Sequence, residues 1–580
     1  MTRQTAGRLG LAASAVSVAL TFAIAVAGPS IMEPVLPGPG SQPPWSLTAR
    51  PSPYLMIALT AVALAAGTAG LGLTIGAVRR GWSVPPRLIL AAGIITAVAL
   101  ALVPPFGSSD HLSYAAYGRM VVTGHNPYMT TPAALAQLGD PVARAVQDWR
   151  TSPSAYGSLA TGGQALASWI GGTSVRLTVF VLSLLNVTAF AVTGLLLHRL
   201  ARGDRARQLR AAVLWTFNPL LLQVLVSGAH VDSQAVVFGI GALAVFALRI
   251  RNGRPAAGPG RQFTAATGAG ALIGLGFAVK LTMALAGAGL ALACVLAWRA
   301  QQPAAGAEGD GARPPDRGRG GRAGWGGLGR WPEQGRLLGG LALGFAVVAG
   351  ASIAVWGPSA LSPTLHAGSY VSIGSPWRVV RTVLRLAVGE GTAEDLVKAA
   401  SVVLGAVLLV LLARAVRRAA PAAPDGGGSA EVPVVPTVPA AAARPGDEQS
   451  GTAVPTELAT VMVLAVAFAW LLAWPYVLPW YDSLGWALLA LLPWSRLDWL
   501  LLARTSALAF GYLPARGIAL PAGLGWLETV VRTAVTPVIL LAILVVLVRM
   551  LLRGRGSTPS TTGVTDPSGR AHGRASRLTS

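Results

Sequence analysis

An apolar run, LILAAGIITAVALALVPP at residues 88–105, leads directly into the polar and aromatic stretch GSSDHLSYAAYGR at residues 107–119. The stretch GHNPY follows at residues 124–128. An acidic side chain at the lip of a membrane helix is costly unless it has a role. Asp110 therefore marks the end of a membrane span and the start of a candidate site. We predict that the rest of the chain is a scaffold that presents this loop on one face of a membrane.

The composition supports a membrane protein. Of the 580 residues, 53% are hydrophobic and only 12% are charged, whereas soluble domains average about 25% charged residues. Apolar runs recur from end to end and are continuous rather than alternating, which predicts an all-α polytopic bundle and not a β-barrel. The lone cysteine, Cys294, lies inside one of these runs and allows no internal disulfide.

The net charge of +23 would suggest nucleic acid as a partner of a soluble protein. Here the arginines cluster between apolar runs, where they set topology and face anionic lipid. We therefore expect no nucleic-acid partner. The basic clusters fall on one side of the predicted bundle and the acidic and aromatic loop motifs on the other.

We predict about fourteen transmembrane helices, within a range of twelve to fourteen, in the cell membrane with both termini in the cytoplasm. The first run, Leu9 to Gly28, follows two arginines and is either a signal peptide or a retained helix, and its length favours a retained helix. A weaker apolar stretch at 159–170 is predicted to be an interfacial or re-entrant helix on the extracytoplasmic surface.

The predicted regions follow from these runs and from the Gly-, Pro- and Arg-rich segments between them. They are an N-terminal transmembrane region at 1–298 with an outer catalytic loop at 105–173, a flexible cytoplasmic loop at 299–336, a transmembrane hairpin at 337–418 with an outer loop at 357–397, a flexible cytoplasmic linker at 419–456, a C-terminal transmembrane region at 457–552 and a disordered cytoplasmic tail at 553–580.

Asp110 is the candidate general base, a carboxylate at the membrane surface that takes a proton from an attacking hydroxyl; the alternative is a helix cap. Arg119 either pairs with a carboxylate or phosphate, or is a snorkelling surface side chain. Tyr114, Tyr117 and Tyr128 either stack on sugar rings or belong to the aromatic belt of the membrane interface.

A second group of candidates lies on later turns. His230 and Asp232 either position an acceptor hydroxyl and support the base, or form a polar hairpin turn. A metal site made by these two residues and Asp110 is conceivable, but no ligand spacing supports it, so we predict no metal. Lys280 either binds an anionic group from within the membrane or lies at a turn between two short helices.

Two further motifs lie on predicted outer loops. Arg378 and Arg381 recur on one helix face and oppose the positive-inside bias, and phosphate recognition would explain them. Trp480 and Tyr481 are candidates to line a sugar site, with interfacial anchoring as the alternative for Trp480. No nucleotide-binding motif is present, so a glycosylating site on this face would need a lipid-borne donor.

These motifs resemble the actinobacterial α-1,6-mannosyltransferases that use polyprenyl-phosphate mannose, members of the GT-C class of integral membrane glycosyltransferases. The resemblance rests on residues 110–119 and 124–128 and on four shorter pieces that occur in the expected order. These pieces are Gly228-Ala229-His230-Val231-Asp232-Ser233, Ala278-Val279-Lys280, Ser375-Pro376-Trp377-Arg378 and Pro479-Trp480-Tyr481.

The resemblance implies inverting mannosyl transfer from polyprenyl-phosphate mannose to a lipid-linked mannan-type acceptor on the extracytoplasmic face, without a cofactor and with Asp110 as the base. Two departures bear on sugar or acceptor specificity. The chain has His230-Val231-Asp232 where the family usually has His-Asn-Asp, and Asn126 where the family has an aspartate before Pro-Tyr.

The competing interpretation is a lipid or glycan transporter or flippase. Transporters often contain inverted repeats with broken helices at the midplane. We find no internal repeat, and the polar motifs fall in loops, which favours an enzyme. An enzyme is predicted to have one outer-face cavity that joins Asp110, Lys280 and Arg378, and a non-catalytic scaffold would lack that cavity.

Overall fold

Long apolar helices are the main elements of the part of the chain that the structure describes. A computed structural model describes residues 1–250, 259–300, 333–418, 433–436, 454, 456–514 and 516–553, and these ranges contain no β-strand. The predicted all-α membrane fold is confirmed. Within these ranges, ten helical segments are long and apolar enough to span a membrane, namely Arg3–Ala27, Pro53–Arg79, Val175–Leu200, Arg205–Val226, Gly260–Val279, Leu281–Ala300, Glu333–Trp356, Glu390–Arg417, Thr456–Ala473 and Ala522–Arg553.

The predicted count of fourteen is not reproduced by these ten segments. Pro86–Ala101 and Asp232–Ala247 are apolar helices that are shorter than the others. The C-terminal region contains two further short helices, Ser483–Leu491 and Leu497–Gly511. At about 1.5 Å rise per residue, helices of 9 and 15 residues do not reach across the roughly 30 Å hydrocarbon layer.

The helices are numbered in chain order. The N-terminal half contains α1 Arg3–Ala27, α2 Pro53–Arg79, α3 Pro86–Ala101, α4 Asp110–Val122, α5 Pro132–Gln137, α6 Pro141–Arg144, α7 Ser158–Gly171, α8 Val175–Leu200, α9 Arg205–Ala211, α10 Pro219–Leu221, α11 Asp232–Ile250, α12 Pro259–Val279 and α13 Ala284–Ala300. The C-terminal half contains α14 Glu333–Trp356, α15 Ser362–Ala367, α16 Pro376–Val388, α17 Glu390–Arg418, α18 Thr456–Ala473, α19 Ser483–Leu491, α20 Leu497–Gly511 and α21 Thr536–Arg553.

Several predicted boundaries differ from the structure. The predicted outer loop at 357–397 contains the amphipathic helix α16, which buries none of its residues, and also the start of α17 at Glu390. Helix α13 extends to Ala300 and α14 begins at Glu333. The remainder of the predicted loop at 299–336, most of the linker at 419–456 and nearly all of the tail at 553–580 lie outside the described residues.

Two segments form the centre of the bundle. In Arg205–Val226, 89% of the apolar window is buried, and in Thr456–Ala473 the share is 72%. Only 22% is buried in Glu333–Trp356 and in Glu390–Arg417, so these helices lie at the periphery, where lipid covers apolar side chains. The central segment 205–226 is broken at Asn218. The Asn218 side chain accepts hydrogen bonds from the N–H groups of Leu220 and Leu221, and Pro219 begins the next helical turn because it has no N–H with which to continue the preceding one.

Buried ion pairs attach the short C-terminal helices to this centre. Arg210 Nη2 lies 2.6 Å from Asp498 Oδ1, with 2% and 1% of the two side chains exposed. The same guanidinium donates from Nε to two backbone carbonyls and lies over the Trp494 ring. A second pair, Arg504 and Asp482, is equally buried. Each charge is therefore neutralised and hydrogen-bonded, as burial requires.

Helix α4, which carries Asp110, is fixed by a close backbone contact with α7. A Cβ atom on Gly118 would lie 2.0 Å from the Gln164 carbonyl oxygen, so no larger residue fits there without displacing a helix. Ser168 Oγ on α7 donates to the Ala115 carbonyl of α4. The predicted interfacial helix at 159–170 is thus observed as α7, and its position relative to the membrane stays a prediction.

We predict that Asp498→Ala strongly destabilises the protein, because Arg210 would be left as an uncompensated buried charge. Losses of this kind amount to about 3–5 kcal/mol. Thermal unfolding in detergent should show a Tm several degrees below that of the wild type. The matched control is Asp395→Ala, whose side chain is 82% exposed and whose loss should leave Tm nearly unchanged. Equal Tm values for the two variants would contradict the prediction.

Candidate active site

A cavity of about 540 Å³ lies where the N-terminus of α4 meets the α12–α13 junction and two C-terminal loops. Its size is that of a typical small-molecule site. Six of the predicted site residues line it, namely Asp110, Tyr114, Tyr117, Lys280, Trp480 and Tyr481. The sequence motifs from both halves of the chain therefore contribute to one cavity.

Asp110 is the first residue of α4, and its carboxylate has one fixed partner in the described part of the chain. Trp149 Nε1 donates to Asp110 Oδ1 over 3.2 Å. The other oxygen, Oδ2, lies 3.6 Å from His230 Nδ1, which is too long for a hydrogen bond. The side chain is 17% exposed and lines the cavity. Oδ2 is thus available to a hydroxyl that enters from the cavity.

Burial raises the pKa of Asp110 to about 6, and the neighbouring carboxylates Asp148 and Asp232 act in the same direction. The hydrogen bond from Trp149 and the charge of Lys280 oppose this increase. Burial disfavours the charged form of a carboxyl, and nearby carboxylates add to this effect. A carboxylate with a pKa near the working pH is suited to accept a proton.

The imidazole of His230 is held flat against the Trp480 ring, with ring centroids 3.4 Å apart and an interplanar angle of 15°. The turn that carries it is tightly built, since Asn186 Nδ2 donates to the Ala229 carbonyl over 2.7 Å. Burial, together with the charge of Lys280, lowers the pKa of His230 well below its usual range. His230 is therefore a neutral neighbour of Asp110 and does not neutralise its charge.

Lys280 lies in an extended conformation between α12 and the short turn Leu281–Met283 that leads into α13. It therefore lies at a break between two helices and also lines the cavity. Its Nζ donates to Asp232 Oδ1 over 2.7 Å and lies 4.0 Å from the centroid of the Tyr481 ring. An ammonium group has three N–H donors. The bond to Asp232 uses one of them, and the side chain also lines the cavity.

A second, very small space of about 10 Å³ lies beside the cavity. Its lining includes Asp232, Met283 and Leu484, and it shares Thr282, Trp470 and Tyr481 with the cavity. Among the described residues, no three His, Cys, Asp or Glu side chains are grouped to hold a metal ion. The site is therefore a carboxylate and an ammonium within an aromatic wall.

Much of the aromatic wall was missed by the sequence motifs. Tyr156 donates from its hydroxyl to that of Tyr114 over 3.2 Å. Trp149 stacks on Tyr370, with ring centroids 5.8 Å apart. The residues that sequence reasoning did not assign to the site are Trp149, Tyr156, His366, Tyr370, Trp470, Trp474 and Tyr476. Their one sequence signal is an excess of aromatic residues in loops, which cannot separate a site wall from an interfacial belt.

Six predicted residues are absent from the cavity lining. His230 and Asp232 lie next to lining residues, against Asp110 and Lys280 respectively, and two others lie on the elements that surround α4. Tyr128 bonds to Thr161 through its hydroxyl over 2.9 Å. Arg119 donates from Nε to Asp140 over 2.7 Å. Both side chains therefore stabilise the packing around α4 and do not face the cavity.

The two arginines of α16 also lie outside the cavity lining. Arg381 is held by two carboxylates of α17, those of Glu390 and Glu394, the latter at 2.6 Å. Arg378 lies in the first turn of the same helix, which buries none of its residues. The predicted cavity that joins Asp110, Lys280 and Arg378 is therefore observed with its first two members only.

We predict that Asp110→Asn stabilises the protein above pH 6. The folded protein binds this proton more tightly than the unfolded chain, so the free energy of unfolding falls as the pH rises from about 4 to about 6. The rise in the pKa of Asp110 to about 6, from a usual value of about 4, corresponds to about 3 kcal/mol. Melting curves at pH 7.5 should give a higher Tm for the variant than for the wild type, and the difference should vanish near pH 4. A lower Tm for the variant at pH 7.5 would count against a buried, ionised carboxylate.

The family model for the N-terminal domain of alpha-(1->6)-mannopyranosyltransferases matches residues 8–296. Alpha-(1->6)-mannopyranosyltransferase A of Corynebacterium glutamicum is 29% identical over 139 residues, which is 24% of this chain and 28% of that protein. Its alpha-(1->6)-mannopyranosyltransferase B is 30% identical over 138 residues, which is 24% of this chain and 23% of that protein.

An alpha-(1->6)-mannopyranosyltransferase of Mycobacterium tuberculosis is 31% identical over 153 residues, which is 26% of this chain and 25% of that protein. The chain thus matches about a quarter of the length of these relatives. No solved structure matches the chain significantly. Through residues 8–296, the chain belongs to the alpha-(1->6)-mannopyranosyltransferase family.

Proposed function

We propose that the protein transfers a mannosyl residue from polyprenyl-phosphate mannose to a lipid-linked mannan-type acceptor on the extracytoplasmic face of the membrane. The observation that carries the proposal is the convergence of Asp110 and Lys280 in one cavity. Family membership supports the sugar and the α-(1→6) linkage.

Asp110 acts as the general base. Its carboxylate takes the proton of the acceptor hydroxyl as the hydroxyl oxygen forms a bond to the anomeric carbon. The bond from that carbon to the phosphate oxygen breaks in the same step, and polyprenyl phosphate leaves with the electron pair. A single displacement inverts the anomeric centre. A phosphate leaving group needs little assistance from an acid, so one carboxylate is sufficient.

Lys280 binds the phosphate of the donor. It is the only Lys or Arg side chain among the residues that line the described cavity, and a cation at this position stabilises the charge that develops on the leaving group. Arg378 and Arg381, our alternative phosphate ligands, receive no support from the cavity lining.

The placement of the site on the extracytoplasmic face is supported by the alternation of helix ends. Asp110 follows the C-terminal end of α3. Arg79 and Arg80 lie at the C-terminal end of α2, just before α3 begins. Lys280 lies at one end of α13 and Arg299 at the other. Arginine-rich ends face the cytoplasm, so the site residues lie at the opposite ends.

A transporter remains the alternative interpretation of a polytopic chain with buried charges. Transporter sites lie near the bilayer midplane between two related halves. Here the polar groups of the cavity lie at helix ends and in loops, at the start of α4 and at the break between α12 and α13. This arrangement favours an enzyme.

We predict that Asp110→Asn lowers mannosyl transfer by about 100-fold or more, the usual contribution of a general base. Purified protein would be incubated with radiolabelled polyprenyl-phosphate mannose and an oligomannoside acceptor. Wild-type activity should rise with pH through about 6, because only the ionised carboxylate accepts a proton. Asp395→Asn, at an exposed position, is the control and should retain full activity. Turnover by folded Asp110→Asn protein at the wild-type rate would refute the assignment.

A further inference from the structure

We infer that Trp149 and Tyr370 form the binding site for the acceptor sugar, an inference that rests on the proposed function. Their rings stack with centroids 5.8 Å apart and an interplanar angle of 24°, and both line the cavity. Neither residue belongs to a motif of the sequence, and Tyr370 lies outside the range of the family model.

The hydrogen bond between Trp149 and Asp110 fixes where the acceptor must lie. A hydroxyl that loses its proton to Asp110 has to approach the carboxylate within about 2.6–3.2 Å. The indole nitrogen is already 3.2 Å from the same carboxylate. A sugar ring that presents its hydroxyl to Asp110 therefore lies beside the indole. Since 38% of the Trp149 side chain is exposed, surface is available for that contact.

The backbone of Trp149 is strained and held from several directions. Its φ is +59°, in the left-handed region that residues other than glycine rarely adopt. The preceding residue, Asp148, accepts a hydrogen bond from the Gly517 N–H over 3.1 Å and another from Ser109. Arg516 Nη2 donates to Gln147 Oε1 over 2.6 Å. Strain that the surrounding structure imposes in this way is typical of functional sites.

The residues that line the cavity differ in chemistry, and this difference separates donor from acceptor. Lys280 is the only Lys or Arg side chain in the described lining and suits the phosphate of the donor. Trp149 and Tyr370 lie in loops, and the ring of His366 on α15 packs edge-on against Tyr370. The acceptor glycan is neutral, so we place it at the part of the lining that contains Trp149 and Tyr370, the acceptor end.

The ligand class follows from the wall at this end. A hexose has an apolar face of C–H groups, which aromatic rings cover well. Three neutral hydroxyl residues of the lining lie close to Trp149 or Tyr370 in the chain, namely Thr151, Ser152 and Thr364. This end therefore suits the terminal residue of a neutral saccharide and not an anionic group.

Two substitutions of Trp149 separate its two contacts. Trp149→Ala removes the ring and should raise the acceptor KM about tenfold or more, with the donor KM changed less than twofold. Trp149→Phe keeps a ring but loses the N–H that favours the ionised form of Asp110. Its acceptor KM should change less than threefold, while the pH midpoint of activity moves upward.

Tyr370→Leu is the second variant and should also raise the acceptor KM, in case Trp149→Ala protein unfolds. The control is Trp169→Ala, which removes a tryptophan that is 72% exposed and outside the cavity. Oligomannoside binding to Asp110→Asn protein, measured by saturation-transfer NMR, gives a readout without turnover. That signal should be lost when Trp149→Ala is added and kept when Trp169→Ala is added.

The outcomes separate this inference from the proposed function. If the wild type shows no mannosyl transfer, the proposed function is wrong. If the wild type transfers mannose and folded Trp149→Ala and Tyr370→Leu proteins keep the wild-type acceptor KM, the acceptor site is elsewhere and the inference alone is overturned. An equal rise of donor and acceptor KM in both variants would also overturn it, because it would indicate general distortion of the cavity.

Discussion

The cost of holding charge away from water constrains every part of this structure. Inside the bundle, Lys280 and Arg210 are each matched by a carboxylate from a distant part of the chain. Lys280 is paired with Asp232, and Arg210 with Asp498, which lies 288 residues away in sequence. Asp110 has no such partner, because its neighbours at hydrogen-bonding or near-contact distance are neutral rings. A protein that stabilised this carboxylate fully would make it a weaker base.

The cavity joins two kinds of element that differ in how firmly they are held. Asp110 and Lys280 lie at helix ends whose positions follow from close packing, such as the contact of Gly118 with α7. Trp149 and Tyr370 lie in loops and depend on bonds between loops. Helices therefore set the distance between base and cation, and loops set the shape of the aromatic wall.

The sequence predicted the parts of the fold and the site that follow from local pattern. Hydrophobic runs identified the all-α membrane class, and polar residues at the ends of runs drew attention to Asp110 and Lys280, which line one cavity. The number of membrane-spanning helices was harder to predict. Two short helices and the segment broken at Asn218 have apolar sequences, but they do not form continuous full-length helices.

The partners of charged side chains were the least predictable feature. Arg381 was a candidate phosphate ligand, yet Glu390 and Glu394 on the next helix bind it. Arg119 binds Asp140 in the same way. Which carboxylate reaches an arginine depends on the angle between two helices, and a single sequence does not reveal that angle. Trp149 was not predicted for a related reason, since its hydrogen bond to Asp110 joins residues that are 39 positions apart in sequence.

The end of the matched N-terminal domain divides the cavity. The family model ends at residue 296, and Tyr370, Trp480 and Tyr481 all follow it. A truncated protein that ended there would retain Asp110 and Lys280 without these aromatic rings. Expression of the N-terminal domain alone would therefore yield the reactive groups without an enclosed site, and modular dissection is unsuited to this protein.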